Sequence, residues 1–317
     1  TVETFHPELH HVVGYHRGWW EVDGVPRAGS GSGRSLRAAL AYACAGAVGP
    51  NADDALGAAL CVEFVHDWFL LHADVVNQDA RRRNRPAAWA AFGTDKAILA
   101  GDLLLGTSFA QASLLSPDSA ALIADTVTAL CRGQAADLDC WETFPSMEDV
   151  LTAMAAKRGS LLSAACALGA RAGGATPESA RRYAAFGKEL GIAYQCVHDL
   201  MGIWGNPQVT GKPTGSDIIA RKVSLPILLA LRSETKAGAQ LASLIAEDRA
   251  LNESDVARAG AYIERSGGKK QTLEEIERRT ARAFLHLEAA APSKSGKSDL
   301  HSLASLLNGW QPYPSSM

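Results

Sequence analysis

No stretch of this chain alternates apolar and polar residues for more than a few positions, which removes sheet architectures from consideration. Instead, apolar residues recur at helical spacing through one Ala- and Leu-rich run after another, punctuated by Gly, Pro and Asn clusters. The pattern predicts an all-α fold. The 317 residues contain no linker-like break and no repeat of solenoid period, so a single domain over 1–317 is expected.

Periodicity and punctuation predict helices over residues 3–20, then from a Gly/Ser loop into an Ala-rich segment. Asn51 to Asp54 read as the cap of a long helix that runs through EFVHDWFLLHADVVNQDARRRNR and ends at Pro86. Further helices are expected over 96–110, 116–140 and 147–172, and from Pro177 through GIAYQCVHDLMGIWGN. The helix over 218–232 should break near Pro226. Amphipathic segments follow at 237–247, 254–266 and 272–291, then a polar linker at 293–297 and a last helix fraying into a Pro/Ser tail.

A net charge of −3 supplies no basic field, so nucleic-acid binding is not expected. Six scattered cysteines without CxxC spacing read as reduced core residues. The sequence shows no basic, then apolar, leader, and its apolar runs read as too short to span a bilayer. A cytoplasmic protein without membrane insertion is expected.

Arg81, Arg82 and Arg83 are consecutive and need an anion; the acids, histidines and amide upstream suggest a phosphate group. Read as a helix, the segment puts His66, Ala73 and Asn77 on one face and Asp67, Asp74 and Gln78 on its neighbour. The Gly-rich entry with Arg34 and Arg37 is either an oxyanion cradle or an ordinary flexible loop. Asp102 in a buried-looking helix would satisfy a neighbour's donor or a helix end. Lys157 and Arg158 interrupt an Ala/Leu segment, as a solvated face or as part of a site.

The order of these features, with RNRPAAWAAFG, AILAGDLLLG, GQAADL, YQCVHDLMGIWGN, GKPTGSD and Lys222 before SLP, resembles the trans-type isoprenyl (polyprenyl) diphosphate synthases over nearly the whole chain. The resemblance implies a helical bundle with a central cavity, usually a homodimer, in which an allylic prenyl diphosphate ionises and its prenyl group is transferred. It assigns Arg82, Lys157, Lys212, Lys222 and Gln195 to the allylic diphosphate. Arg34, Arg37, His66 and Arg83 fall at the isopentenyl diphosphate positions, with arginine for the family's lysine at Arg34. Trp68 and Phe69 fall where the prenyl-tail tunnel is floored, although core packing is the general expectation for such rings.

The chain departs from that family at the metal. Hard carboxylate oxygens hold Mg²⁺ in two DDxxD motifs. Here the first motif reads Ala73, Asp74 and Asn77, and the second His198, Asp199 and Gly202. Asp74 and Asp199 remain, about 100° round their helices from the ligand positions. They are the candidate metal ligands, with Asn77 and Asp79 as auxiliaries, for fewer Mg²⁺ ions than the usual three or none, and with Lys157 and Lys212 they are the candidate catalytic residues.

The resulting expectation is a non-standard prenyltransferase using a prenyl diphosphate of about C10 to C20 and a small-molecule acceptor other than isopentenyl diphosphate. An acceptor bearing a phosphate could use the Arg34, Arg37, His66 and Arg83 positions. A class I terpene cyclase, and a non-catalytic prenyl-diphosphate-binding subunit of a synthase heteromer, remain alternatives.

Overall fold

Residues 5–27, 35–49, 55–139, 145–210 and 213–308 are described by a computed structural model. The expected Asn51–Asp54 cap, Arg34, Cys140 and Lys212 lie outside them. The chain is helical almost throughout. α1 (Pro7–Arg17), α2 (Leu36–Val48) and α3 (Leu56–Val76) precede a two-stranded ribbon of β1 (Arg81–Arg82) and β2 (Arg85–Pro86). Then come α4 (Ala88–Phe92), α5 (Thr94–Leu115), α6 (Pro117–Asp139), α7 (Met147–Met154), a π-helical turn at Ala155–Gly159, α8 (Ser160–Ala172) and α9 (Pro177–Trp204). The short α10 (Pro207–Thr210), α11 (Ser216–Ile219) and α12 (Leu225–Leu231) lead into α13 (Lys236–Ile245), α14 (Glu253–Arg265), α15 (Gly268–Ala289) and α16 (Lys294–Asn308).

Close packing of small residues sets the bundle's centre. Gly169 of α8 and Gly173 at its C-terminal cap lie one turn apart against the backbone of Ala41 and Ala45 of α2, where a β-carbon would collide. Gly187 and Gly191 of α9 do the same against Leu162 and Arg158. Leaving out those side chains lets the helix backbones approach, so the π turn is fixed firmly against α9. One buried cluster, including Val62, Val65, Leu71, Leu104, Ile123 and Leu161, fills the space between α3, α5, α6 and α8. A second, with Leu162, Tyr183, Phe186, Leu287 and Leu300, joins α8 and α9 to α15 and α16.

Four local expectations are corrected. The helix expected to reach Pro86 stops at Val76, and Gln78 already has φ 56°. Arg83 and Asn84, both with positive φ (50° and 62°), form the two-residue turn of a hairpin pairing Arg81 with Pro86 and Arg82 with Arg85. Two positive φ values match the right-handed twist of such ribbons, and Asn tolerates that region. The break near Pro226 lies before it, at 220–224, because proline suits the first turn of α12. The polar residues at 293–297 enter α16, with the Ser293 amide donating to Ala47 O at 2.8 Å.

The fourth concerns apolar length. α3 and α5 are both long and apolar enough to cross a membrane by length and composition, with window hydropathies of 1.2 and 1.4. The α3 window is 72% buried, as in a core helix, whereas that of α5 is 28% buried. Scattered Gly, Ser and single charges disguise both in the sequence.

Candidate functional site: two arginine-lined cavities and a closed carboxylate pair

Asp74 is buried at 1% exposure, and both its oxygens accept hydrogen bonds from Arg82: Nε at 2.6 Å and Nη2 at a shorter contact. The hairpin makes this possible, since β1 doubles back beneath the end of α3. Arg85 anchors the same hairpin to the C-terminal end of α1, donating to Tyr15 O at 3.3 Å and Trp20 O at 3.0 Å, with its guanidinium 4.0 Å from the Tyr15 ring centre. Cations stabilise a helix C-terminus and its unpaired carbonyls. Arg83 reaches His16 O at 3.5 Å, and Arg81 turns outward to Asn84 O.

Asp67, one heptad before Asp74, is likewise buried and holds Arg17 at 2.6 Å. Burial pushes its pKa up most strongly, but His16, Arg17 and Arg83 pull it below the usual value. Arg17 also lies 3.4 Å from Glu63, whose other oxygen accepts from the Ala38 amide at 3.3 Å in the first turn of α2. Arg17 was missed in the sequence. Its signal was Glu63 and Asp67 four residues apart on an inward face, a pair of buried acids that needs a cation.

Asp199 is also satisfied within the protein. It accepts from the Leu225 amide at 3.0 Å, Gln195 Nε2 at 2.7 Å and Lys222 Nζ at 3.3 Å, and Lys222 reaches Asp217 at the same distance. Its carboxylate therefore caps the first turn of α12. Asn77 accepts from Gln134 Nε2 at 2.8 Å across to α6. Asp79 is exposed, and His198 stacks edge-on against Tyr194 at 4.4 Å.

These positions do not fit a Mg²⁺ cluster. Asp74 has both oxygens on Arg82, Asp199 has both on donors of its own chain, and alanine, amide and histidine stand at the expected ligand positions. Among the described residues no three His, Cys, Asp or Glu side chains group to hold a metal.

The cations, in contrast, converge. Arg37, His66 and Arg83 line a cavity of about 330 Å³ with Glu63, Tyr194 and the α16 leucines Leu303, Leu306 and Leu307. Arg37 has its pKa lowered to about 10, by burial first and then by the charge of Arg158. Burial also holds His66 well below 6.5, assisted by Arg37, Arg158 and Arg83, so the imidazole is neutral at pH 7. A site whose cations repel one another this way gains most from an incoming anion. A second, smaller cavity of about 170 Å³, which shares Arg83 with the first, is also lined by Arg17, Arg27, Arg82 and Arg85.

Lys157 and Arg158 sit in the π turn, a geometry that recurs at functional sites. The Lys157 stem runs over Gly133, where a β-carbon would meet it, and its ammonium lies 5.9 Å from the Phe69 ring centre. Arg158 Nε donates to Gln195 Oε1 at 2.9 Å. Gln195 thereby joins Arg158 to Asp199 and Lys222. Trp68 is 6% exposed within the core cluster, beside His72, while Phe69 is only partly buried. Asp102 lies 3.5 Å from His72 and is mostly exposed.

Comparison with known proteins gives the family of the chain. A family model described as polyprenyl synthetase matches residues 27–263. A geranylgeranyl diphosphate synthase of Mycobacterium tuberculosis is 39% identical over 313 residues, covering 96% of this chain and 88% of the relative. The crystal structure of a polyprenyl synthetase from Streptomyces coelicolor superposes with a TM-score of 0.91 at 33% identity, covering 96% of this chain and 94% of that one. A polyprenyl synthase from Caulobacter crescentus, complexed with calcium and isoprenyl diphosphate, gives 0.78 at 28% identity, covering 87% and 84%. The chain belongs to the polyprenyl synthetase family.

Proposed function

We propose that this chain transfers a prenyl group of about C10 to C20 from its diphosphate to an acceptor other than isopentenyl diphosphate. The prenyl diphosphate would sit beside Arg82, Lys157, Gln195 and Lys222; Lys212, which the resemblance assigns to the same diphosphate, and Arg34, which it assigns to the acceptor, lie outside the described residues. The acceptor would place an anionic group at Arg37, His66 and Arg83 and an apolar body against the α16 leucines. The allylic C–O bond breaks with its electron pair leaving on the diphosphate, and the acceptor forms the new bond to the prenyl carbon and loses a proton.

The observation that carries this reading is the contrast between the two charge sets. Carboxylates at both aspartate motifs are bonded within the protein, while arginines and a neutral histidine surround a separate cavity. Preorganised cations can take the charge that develops on a leaving diphosphate. The Caulobacter relative, which binds isoprenyl diphosphate, supports that ligand class here. Phe69, and Trp68 behind it, would limit the tail. A homodimer is proposed on α5, whose Ile98, Leu99 and Leu114 are exposed.

The test is an assay of the purified protein with geranyl, farnesyl and geranylgeranyl diphosphates. Acceptors would include isopentenyl diphosphate, phosphorylated alcohols and indoles, each with Mg²⁺ and with EDTA. A coupled product from an acceptor other than isopentenyl diphosphate supports the proposal. Product from a lone prenyl diphosphate would indicate cyclisation, and binding without any product would indicate a regulatory subunit.

A further inference from the structure

The smaller cavity, of about 170 Å³, lies where the C-terminal end of α1, the β1–β2 ribbon and the start of α4 meet. No carboxylate lines it, while Arg17, Arg27, Arg82, Arg83 and Arg85 do, with His16. Of the described positions that the resemblance gives to diphosphates, only Arg82 and Arg83 border it; Arg37, His66, Lys157, Gln195 and Lys222 do not. It is a separate feature, built mainly from α1, the turn that follows it and the return strand of the hairpin.

The acids that balance these arginines stand behind the lining. Asp67 and Glu63 hold Arg17, Asp74 holds Arg82, and Glu21 is shared between Arg27 at 3.3 Å and Arg85 at 3.4 Å. Arg83 has no ion-pair partner among the described residues, and its hydrogen bond goes to the His16 carbonyl at 3.5 Å. Arg85 keeps its Nε buried without a hydrogen-bond partner. The side chains of Arg17, Arg85 and Arg27 are 12%, 17% and 30% exposed, so water solvates their charge incompletely. The C-terminus of α1 alone would repel an anion. Here its Tyr15 and His16 carbonyls are covered by Arg85 and Arg83, which makes that end of the helix a cationic wall. Guanidiniums crowded in this way gain from an anion, and their planar N–H groups suit phosphate oxygens.

We propose that this cavity binds a phosphate group, at a site distinct from that of the prenyl diphosphate. Its volume, about 170 Å³ against about 330 Å³ for the cavity at Arg37, suits one tetrahedral oxyanion. Its apolar side, Pro86, Ala87 and Ala88, is too short for a prenyl body. The phosphate is the free ion or the head of a small ester. This site does not depend on the prenyl-transfer reading.

Calorimetric titration in EDTA with inorganic phosphate and, separately, with glycerol phosphate tests the site in the wild type, Arg27→Gln, Arg27→Lys and Arg37→Gln. Arg27 is the lining arginine to change, because its acid, Glu21, is 48% exposed and keeps Arg85, whereas Arg17 serves the buried Asp67. A charge-assisted hydrogen bond is strong enough that Arg27→Gln should weaken binding roughly tenfold or more, with Arg27→Lys between. Arg37→Gln, which alters the larger cavity alone, should keep the affinity of this site. Circular dichroism melting establishes that each variant is folded. Tighter binding of inorganic phosphate marks the free ion as the ligand and tighter binding of glycerol phosphate marks an ester; either supports the proposal. Unchanged affinity in Arg27→Gln, a loss in Arg37→Gln alone, or no wild-type binding of either ligand would overturn it.

Discussion

Both carboxylate oxygens of Asp74 are held by the guanidinium of Arg82, eight positions later in the chain and on the other side of the turn out of α3. The pair is a fork-on-fork contact at a buried carboxylate, which fixes the direction in which Arg82 presents its remaining N–H groups. The surviving aspartate of the first motif orients the arginine that the proposed function places at the diphosphate.

Removing one partner of that pair should be costly. Arg82→Ala leaves Asp74 buried without its cation, and a loss of about 3 kcal/mol is expected in urea unfolding. Asp74→Asn should lower stability less and, because an amide cannot hold the guanidinium through two oxygens, should weaken inorganic diphosphate binding to the same extent in EDTA and in Mg²⁺. Loss of Mg²⁺-dependent diphosphate binding in Asp74→Asn, with stability unchanged, would instead make Asp74 a metal ligand.

His66 gives the site a pH dependence. Burial and the neighbouring arginines hold its pKa well below 6.5 in the folded chain, so the unfolded chain binds more protons near and below that pH. Its contribution to stability is therefore present above about pH 6.5 and is lost as the pH falls below it. Thermal melts from pH 8 to 5.5 should show a smaller drop for His66→Gln than for the wild type. An anion in the cavity reverses the penalty on protonation, so diphosphate binding should take up protons and tighten as the pH falls, and this trend should flatten in His66→Gln.

Metal ligation should be restorable by sequence. Ala73→Asp, Asn77→Asp and His198→Asp together return carboxylates to the positions the resemblance marks as ligands. Hard oxygen donors on facing helices favour Mg²⁺. In the triple variant, Mg²⁺ should strengthen inorganic diphosphate binding by roughly tenfold more than it does in the wild type. Equal Mg²⁺ enhancement in the two proteins would show that those positions do not decide metal use.

Trp68 and Phe69 should separate. Trp68 is buried in the core, so Trp68→Ala should destabilise by about 3–5 kcal/mol. Phe69→Ala should cost less stability and change the preferred prenyl length, read from competition among C10, C15 and C20 diphosphates. A change in stability alone for Phe69→Ala would place both rings in the core.

Helix starts were legible because they carry local chemistry: Pro177 follows the Thr176 cap, and Pro117 opens α6. Arg81, Arg82 and Arg83 were legible as a cluster of cations, and Arg82 meets its anion within the chain at Asp74. The hairpin that aims them was not, because three arginines followed by asparagine look helical until Asp74 and the α1 carbonyls draw them back. Arg17 was hidden for a different reason. Its partner Asp67 lies fifty positions away, and nothing near Arg17 in the chain reports that contact. The π turn was likewise invisible, since Ala, Lys, Arg and Gly fit an ordinary helix and only the approach of α9 requires the wider turn.

The central claim is that protein cations, with few divalent ions or none, hold the diphosphate. Its most direct measurement is titration of the wild type with a prenyl thiolodiphosphate, which does not ionise readily, in EDTA and in saturating Mg²⁺. The account predicts binding in EDTA within about tenfold of that in Mg²⁺. Binding that vanishes in EDTA and returns only with stoichiometric Mg²⁺ would contradict it.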